Sequence, residues 1–262
     1  MQLELRKHVN ILIFTTIIFS LWSLALYFIP EKETFWNNLY PIYAMIYLYP
    51  AIVGFNFLRK SGTDGVVKKA LTWLSISFFF YSAALFMQAY LVLFVTQEFY
   101  PSFADWFFII HFIFLTGGSI YLLRMYSSQL RLRHLISFML SLVATVYIVL
   151  KFYGLPELGL EDSTLIITFF DISYFVFGVL NIFLSILILL FAGGKIFKGV
   201  TFFVVGSVLQ TIADFFFSAR IEEGIFYGGD YTDFLYLISG LFWALAIVYT
   251  IYSLKERKIQ IN

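Results

Sequence analysis

Apolar residues run along this chain in long blocks, each about the length that crosses a bilayer, and polar residues gather in the gaps between them. Eight blocks read as helical spans, at roughly 10–29, 39–58, 70–95, 105–125, 134–154, 166–192, 199–221 and 232–254. The pattern predicts an all-α integral membrane protein of eight transmembrane helices, a single membrane domain over 1–262. Few residues are left for a soluble domain, so any chemistry belongs inside the bundle or at its faces. Arg6, Lys7 and His8 precede the first block, but its bulky exit Tyr27-Phe28-Ile29-Pro30 lacks a small-residue cleavage site. It is expected to be the first span and not a leader.

A shorter rhythm overlies the blocks. Asn37–Tyr40, Asp105–Phe108, Asp171–Tyr174 and Asp233–Tyr236 repeat at spacings of 68, 66 and 62 residues. Each pair stands where an even-numbered span begins, which suggests four repeated hairpins. There an Asn or Asp caps orphan N–H groups at the positive end of the helix. The aromatic that follows is expected at headgroup depth, as an interfacial anchor. Residues 79–124 also resemble 207–252 when shifted by about 128 positions. Two parallel four-helix halves, about 1–130 and 131–262, are the expected repeat units.

Charge sets the orientation. With a cytoplasmic N-terminus, 14 of the 17 Lys and Arg fall inside, among them Arg59, Lys60, Lys68, Lys69, Arg124 and Lys195. Lys32, Lys151 and Arg220 are left outside, with the acidic residues Glu31, Glu157 and Asp230. The positive-inside rule therefore predicts a cell-membrane protein with both termini cytoplasmic. A mean hydropathy of +0.88, with 61% hydrophobic and 13% charged residues, agrees with that class.

Absent residue types narrow the chemistry. With no cysteine there are no disulfides and no thiolate sites. Three histidines, His8, His111 and His134, do not make a haem pair or a three-histidine zinc site, and span seven has no lysine for a retinal Schiff base. No nucleotide fingerprint is present, and the basic loops read as topology determinants, not as a nucleic-acid surface. No cofactor, metal ligand or catalytic residue is assigned.

Polar residues inside the spans are the candidates for function, because ionisable groups in hydrocarbon are costly and face a bundle interior or a cavity. Span seven has Ser207, Gln210, Asp214 and Ser218 on one helical face. Span three has Ser77, Tyr81 and Gln88; span four has His111; span six has Tyr174, Gly178 and Asn181; span eight has Tyr236, Gly240 and Trp243. The expectation is an outward-facing cavity lined by Asp214, Gln210, Ser218, His111, Gln88, Tyr174, Asn181, Tyr236 and Trp243. Its aromatic walls and few polar groups suit a small apolar or amphipathic ligand. The alternative is interhelical packing, with hydrogen bonds as glue and Gly178 and Gly240 allowing close approach.

The stretch Ala213-Asp214-Phe215-Phe216-Phe217-Ser218, with Gly229-Asp230, Asp233-Phe234-Leu235-Tyr236 and Gly240, resembles the multi-pass membrane sensor regions that precede diguanylate cyclase or kinase domains. The resemblance implies a non-enzymatic sensor or accessory protein that binds its ligand in the membrane and acts through a partner protein. Residues Lys255–Asn262 hold no output domain, so a stand-alone module is expected. The aspartates are also similar in position to those of the eight-span lysoplasmalogenase family. That similarity implies an intramembrane lipid hydrolase using Asp214, Asp233 and His111, although the first-half aspartate of that family is not evident. A small-molecule transporter is the third reading, supported by the parallel repeat. Membrane lipids and the small ligand are the expected partners.

Overall fold

A computed structural model describes residues 2–29, 31, 34–61, 65–95, 101–124, 165–191, 197–222, 225 and 227–261. Among these residues the chain is helical throughout, without strands, and seven helices are long and apolar enough to cross a membrane. The predicted span over 134–154 lies outside the described residues.

The first helix, α1, covers Gln2–Tyr27. The second crossing is interrupted: α2 (Phe35–Leu39) passes through a 3-10 turn at Tyr40–Ala44 into α3 (Met45–Ser61). Pro41 lies in that turn and Pro50 inside α3, so the missing donors of both prolines coincide with an irregular crossing. Helix α4 (Val66–Tyr90) ends in a π-helical turn at Leu91–Val95, and α5 covers Phe103–Arg124. Helices α6 (Leu165–Phe191), α7 (Phe197–Glu222) and α8 (Tyr231–Ile261) complete the described chain.

Six helices close a ring in which α3 packs on α4, α4 on α5, α5 on α6, α6 on α7, α7 on α8 and α8 on α3. Helix α1 lies against α8 and, to a lesser degree, α3. The closure between α3 and α8 is tight. A Cβ at Gly240 would stand 2.7 Å from Ile46 Cγ2 and 2.8 Å from Tyr47 Cζ, so only glycine lets these backbones approach so closely. Gly178 differs from the packing expectation, since a Cβ there would meet only Thr211 Cγ2, at 4.0 Å.

The helices' directions follow from their cross-contacts. Asp105 meets Tyr174 and Thr116 meets Asn181, so α5 and α6 run parallel. Glu4 meets Lys255 and Ser23 meets Gly229, so α1 and α8 run antiparallel and the start of α1 shares one end of the bundle with the end of α8.

Two of the four Asn/Asp positions, Asp105 and Asp233, accept backbone N–H groups at helix starts, as the sequence suggests. Each stands three residues after the capping residue, whereas at Asn37 the cap is Thr34. Ser102 N–H and Oγ donate to Asp105 Oδ2, and Ala104 N–H donates to Ser102 Oγ. Asp230 Oδ1 accepts from Thr232 N–H and Asp233 N–H, while Asp233 Oδ2 accepts from Gly229 N–H. Thr34 Oγ1 donates to Asn37 Oδ1 and accepts from Asn37 N–H. The Asp171 side chain lies outside the described residues.

Two of the aromatics after these residues turn into the bundle, while Phe108 and Tyr174 are half-buried. Tyr40 is fully buried and Tyr236 is 8% exposed. Three residues on from an inward-turned cap, the side chain sits on the same helical face and points into the bundle.

Candidate functional site

Inside the ring, side chains from four helices meet in one hydrogen-bonded cluster. Helix α7 supplies Gln210 and Asp214, one turn apart, and Gln210 Nε2 donates to Asp214 Oδ1 (3.2 Å) and to Tyr81 Oη of α4 (3.0 Å). Helix α8 supplies Tyr236, whose hydroxyl donates to Asp214 Oδ1 at 2.8 Å, and Ser239, whose hydroxyl donates to Gln210 Oε1 at 3.1 Å. Tyr47 of α3 donates to the Tyr236 carbonyl at 2.5 Å and reaches Gln210 Oε1 at 3.5 Å. Asp214 Oδ1 thus accepts two bonds, and Oδ2 accepts none among the described residues. Within a low-dielectric bundle that arrangement holds one carboxylate oxygen in place and leaves the other available.

Aromatic rings surround the cluster. Tyr47 and Tyr81 approach to 4.2 Å between centroids, and Tyr81 lies 4.7 Å from the His111 ring. Trp243 packs against Phe78, Tyr81 and His111, and its Nε1 donates to Ser207 Oγ at 3.2 Å. Phe217 packs edge-on against Tyr236. Tyr47, Tyr81 and Trp243 are all at most 3% exposed, whereas Asp214 is half-buried.

The candidate residues divide into groups. Asp214, Gln210, Tyr236 and Trp243 come together as expected. His111 touches the same aromatics but bonds to Ser77, with Nδ1 2.8 Å from Ser77 Oγ; its Nε2 is buried without a partner. Tyr174 donates to Asp105 Oδ1 at 2.5 Å, and Asn181 Nδ2 donates to the Phe177 carbonyl of its own helix at 2.9 Å. These two lie along the α5–α6 contact, and Tyr174 reaches the cluster's aromatics through the rings of Phe108 and Phe112. Gln88, two turns beyond Tyr81, is half-buried and has no hydrogen bond to the cluster. The Ser218 side chain lies outside the described residues. Among the described residues no group of three His, Asp or Glu could hold a metal ion.

Sequence reasoning missed Tyr43, Tyr47 and Ser239. Tyr43, fully buried, reaches Asp233 Oδ1 at 3.5 Å. The signal was Tyr40, Tyr43 and Tyr47 at helical spacing, masked by the number of aromatics and by Pro41.

The described part of the loop before α8 is tied to the helices around it. Its Asp230 carboxylate pairs with Arg220 Nε at 2.6 Å, and the Arg220 guanidinium lies over the Tyr231 ring at 4.9 Å. Asn37 Nδ2 and Ser23 Oγ donate to the Gly228 and Gly229 carbonyls, tying this loop to α2 and α1.

Compared with protein-family models, curated proteins and solved structures, the chain matches none of them.

Proposed function

We propose that this is a multi-pass membrane protein that binds a small apolar or amphipathic ligand at Asp214, as a sensor or accessory subunit. The observation that carries the reading is the divided role of that carboxylate. Tyr236 and Gln210 fix Oδ1, Oδ2 is without a partner among the described residues, and the rings around it offer an apolar wall. A ligand with an amine or hydroxyl would bond Oδ2 and lay its apolar part against Phe217 and Tyr236. Native mass spectrometry of the purified protein tests this by identifying a co-purifying small molecule, which Asp214→Asn should release. A molecule retained equally by both forms would sink the reading.

The hydrolase alternative receives less support. It needs two carboxylates and a histidine at a shared reactive point, within hydrogen-bond reach of the reacting groups. Asp233 instead caps α8 through Gly229 N–H and meets Tyr43, and His111 bonds to Ser77. The transporter alternative draws on the parallel repeat and on the interrupted second crossing.

We further propose eight spans with both termini cytoplasmic. The parallel run of the neighbouring helices α5 and α6 supports a further crossing between them in the sequence. That crossing agrees with the apolar block at 134–154. The positive-inside distribution supports the orientation, and the shared end of α1 and α8 supports an even number of crossings. The capping boxes Ser102–Asp105 and Asp230–Asp233, 128 residues apart in sequence, support the repeat of two halves. Signalling through a partner protein extends the reading in line with the sensor resemblance.

A further inference from the structure

We propose that the ligand held at Asp214 is an ammonium ion, an amine with at least one N–H carried on an apolar or aromatic body. The proposal rests on the reading of Asp214 as a ligand anchor and narrows that ligand to one charge class. The bonds of the described aspartates single this residue out, and the donors and charges around it decide what it takes.

Among the described residues, the other aspartates engage both carboxylate oxygens. Asp105 accepts from Tyr174 at Oδ1 and from Ser102 N–H and Oγ at Oδ2. Asp230 accepts from Thr232 N–H at Oδ1 and pairs with Arg220 at Oδ2. Asp233 meets Tyr43 at Oδ1 and accepts from Gly229 N–H at Oδ2. Asp214 takes both of its bonds, from Tyr236 and Gln210, on Oδ1 alone. Helix capping and loop closure account for the other carboxylates. Neither accounts for Asp214, which stands inside α7.

The neighbouring donors cannot turn to Oδ2 without giving up bonds they already make. Gln210 places its amide nitrogen between Asp214 and Tyr81 Oη, and its oxygen accepts from Ser239. The Tyr236 hydroxyl has a single hydrogen, already on Oδ1. The donor for Oδ2 therefore comes from outside this network.

Charge decides between an amine and a hydroxyl. A carboxylate inside a membrane bundle is paired, because an isolated charge there is costly. Asp214 receives its bonds from neutral groups, and no ion pair reaches it among the described residues. Arg220, six residues further along α7, is held by Asp230 at 2.6 Å and by the Ile225 carbonyl at 2.9 Å. A hydroxyl would complete the hydrogen bond and leave the charge. A quaternary ammonium would meet the charge and leave Oδ2 without a donor. An ammonium with an N–H supplies both. Phe217, three residues on from Asp214, packs against Tyr236, which gives the body of the amine a ring surface beside the carboxylate.

The test is isothermal titration calorimetry of the full chain in detergent with probes that share one apolar body. These are 2-phenylethylamine, its trimethylammonium derivative, 2-phenylethanol and 3-phenylpropionate. The amine should bind about tenfold or more tighter than the alcohol or the trimethylammonium derivative, and the carboxylate probe should not bind. Asp214→Asn should weaken the amine about tenfold or more and change the alcohol little. Asp105→Asn removes equal charge from a carboxylate whose oxygens are both engaged, and should leave amine binding unchanged. Matching elution profiles establish that the variants are folded, and the order of the probes on the wild type stands without any variant. Alcohol and amine binding equally, both weakened in Asp214→Asn, would overturn the ammonium and leave Asp214 as the anchor. Amine binding unchanged in Asp214→Asn, or equally weakened in Asp105→Asn, would overturn both the ammonium and the anchor.

Discussion

Replacing Gly240 with alanine tests the closure that builds the cluster. The new methyl would stand 2.7 Å from Ile46 Cγ2, 2.8 Å from Tyr47 Cζ and 2.9 Å from Tyr47 Cε2, closer than packed carbons ever lie. Helix α3 must move away from α8, and the Tyr47 hydroxyl is drawn off the Tyr236 carbonyl. Overpacking of this kind costs about 1–3 kcal/mol. Alanine's better helix propensity offsets up to about 1 kcal/mol of that. The net expectation is a loss of about 1–2 kcal/mol, or roughly 3–6 °C in Tm for a chain of this size. Gly178→Ala is the control, because its methyl would meet only Thr211 Cγ2, at 4.0 Å, and should be neutral or stabilising. The assay is thermal unfolding of both variants in one detergent at one scan rate. If Gly240→Ala melts within about 1 °C of wild type, or Gly178→Ala falls as far, the α3–α8 closure is wrong.

Three further perturbations follow from individual contacts. Asp105→Ala removes the cap of α5 and the acceptor of Tyr174 together, and should cost about 1–2 kcal/mol in chemical denaturation, with Asp105→Asn milder. Arg220→Ala leaves the buried Asp230 carboxylate without its ion partner and should cost about 3 kcal/mol. Adding Asp230→Asn to that variant should recover part of the loss, measured as a double-mutant cycle. Tyr47→Phe removes the donor to the Tyr236 carbonyl and should cost about 1 kcal/mol, with little further loss when combined with Gly240→Ala.

The helices were legible in the sequence because bilayer-length apolar blocks leave little choice. The block at 105–125 became Phe103–Arg124, and that at 199–221 became Phe197–Glu222. The face each helix turns inward was harder to read. In a chain with 34 Phe and 18 Tyr, lipid-facing and core-facing rings look alike, so Tyr40 and Tyr236 were expected at the interface and are buried. Polar residues discriminate better, because an uncompensated polar group in lipid is expensive. Hence the face carrying Gln210 and Asp214 was found, and Tyr43 and Tyr47 were missed. Partners in space were beyond the sequence altogether: nothing in the spacing of His111 selects Ser77 over Asp214.

The central claim is that Asp214 anchors a ligand, and thermal stabilisation of the purified protein by its co-purifying molecule tests it most directly. Wild type should be stabilised, and Asp214→Asn should need roughly tenfold or more ligand for the same shift, the loss of one hydrogen bond to a charged acceptor. Tyr236→Phe should weaken the response less, because Gln210 still holds Oδ1. Identical stabilisation curves for wild type and Asp214→Asn would contradict the account.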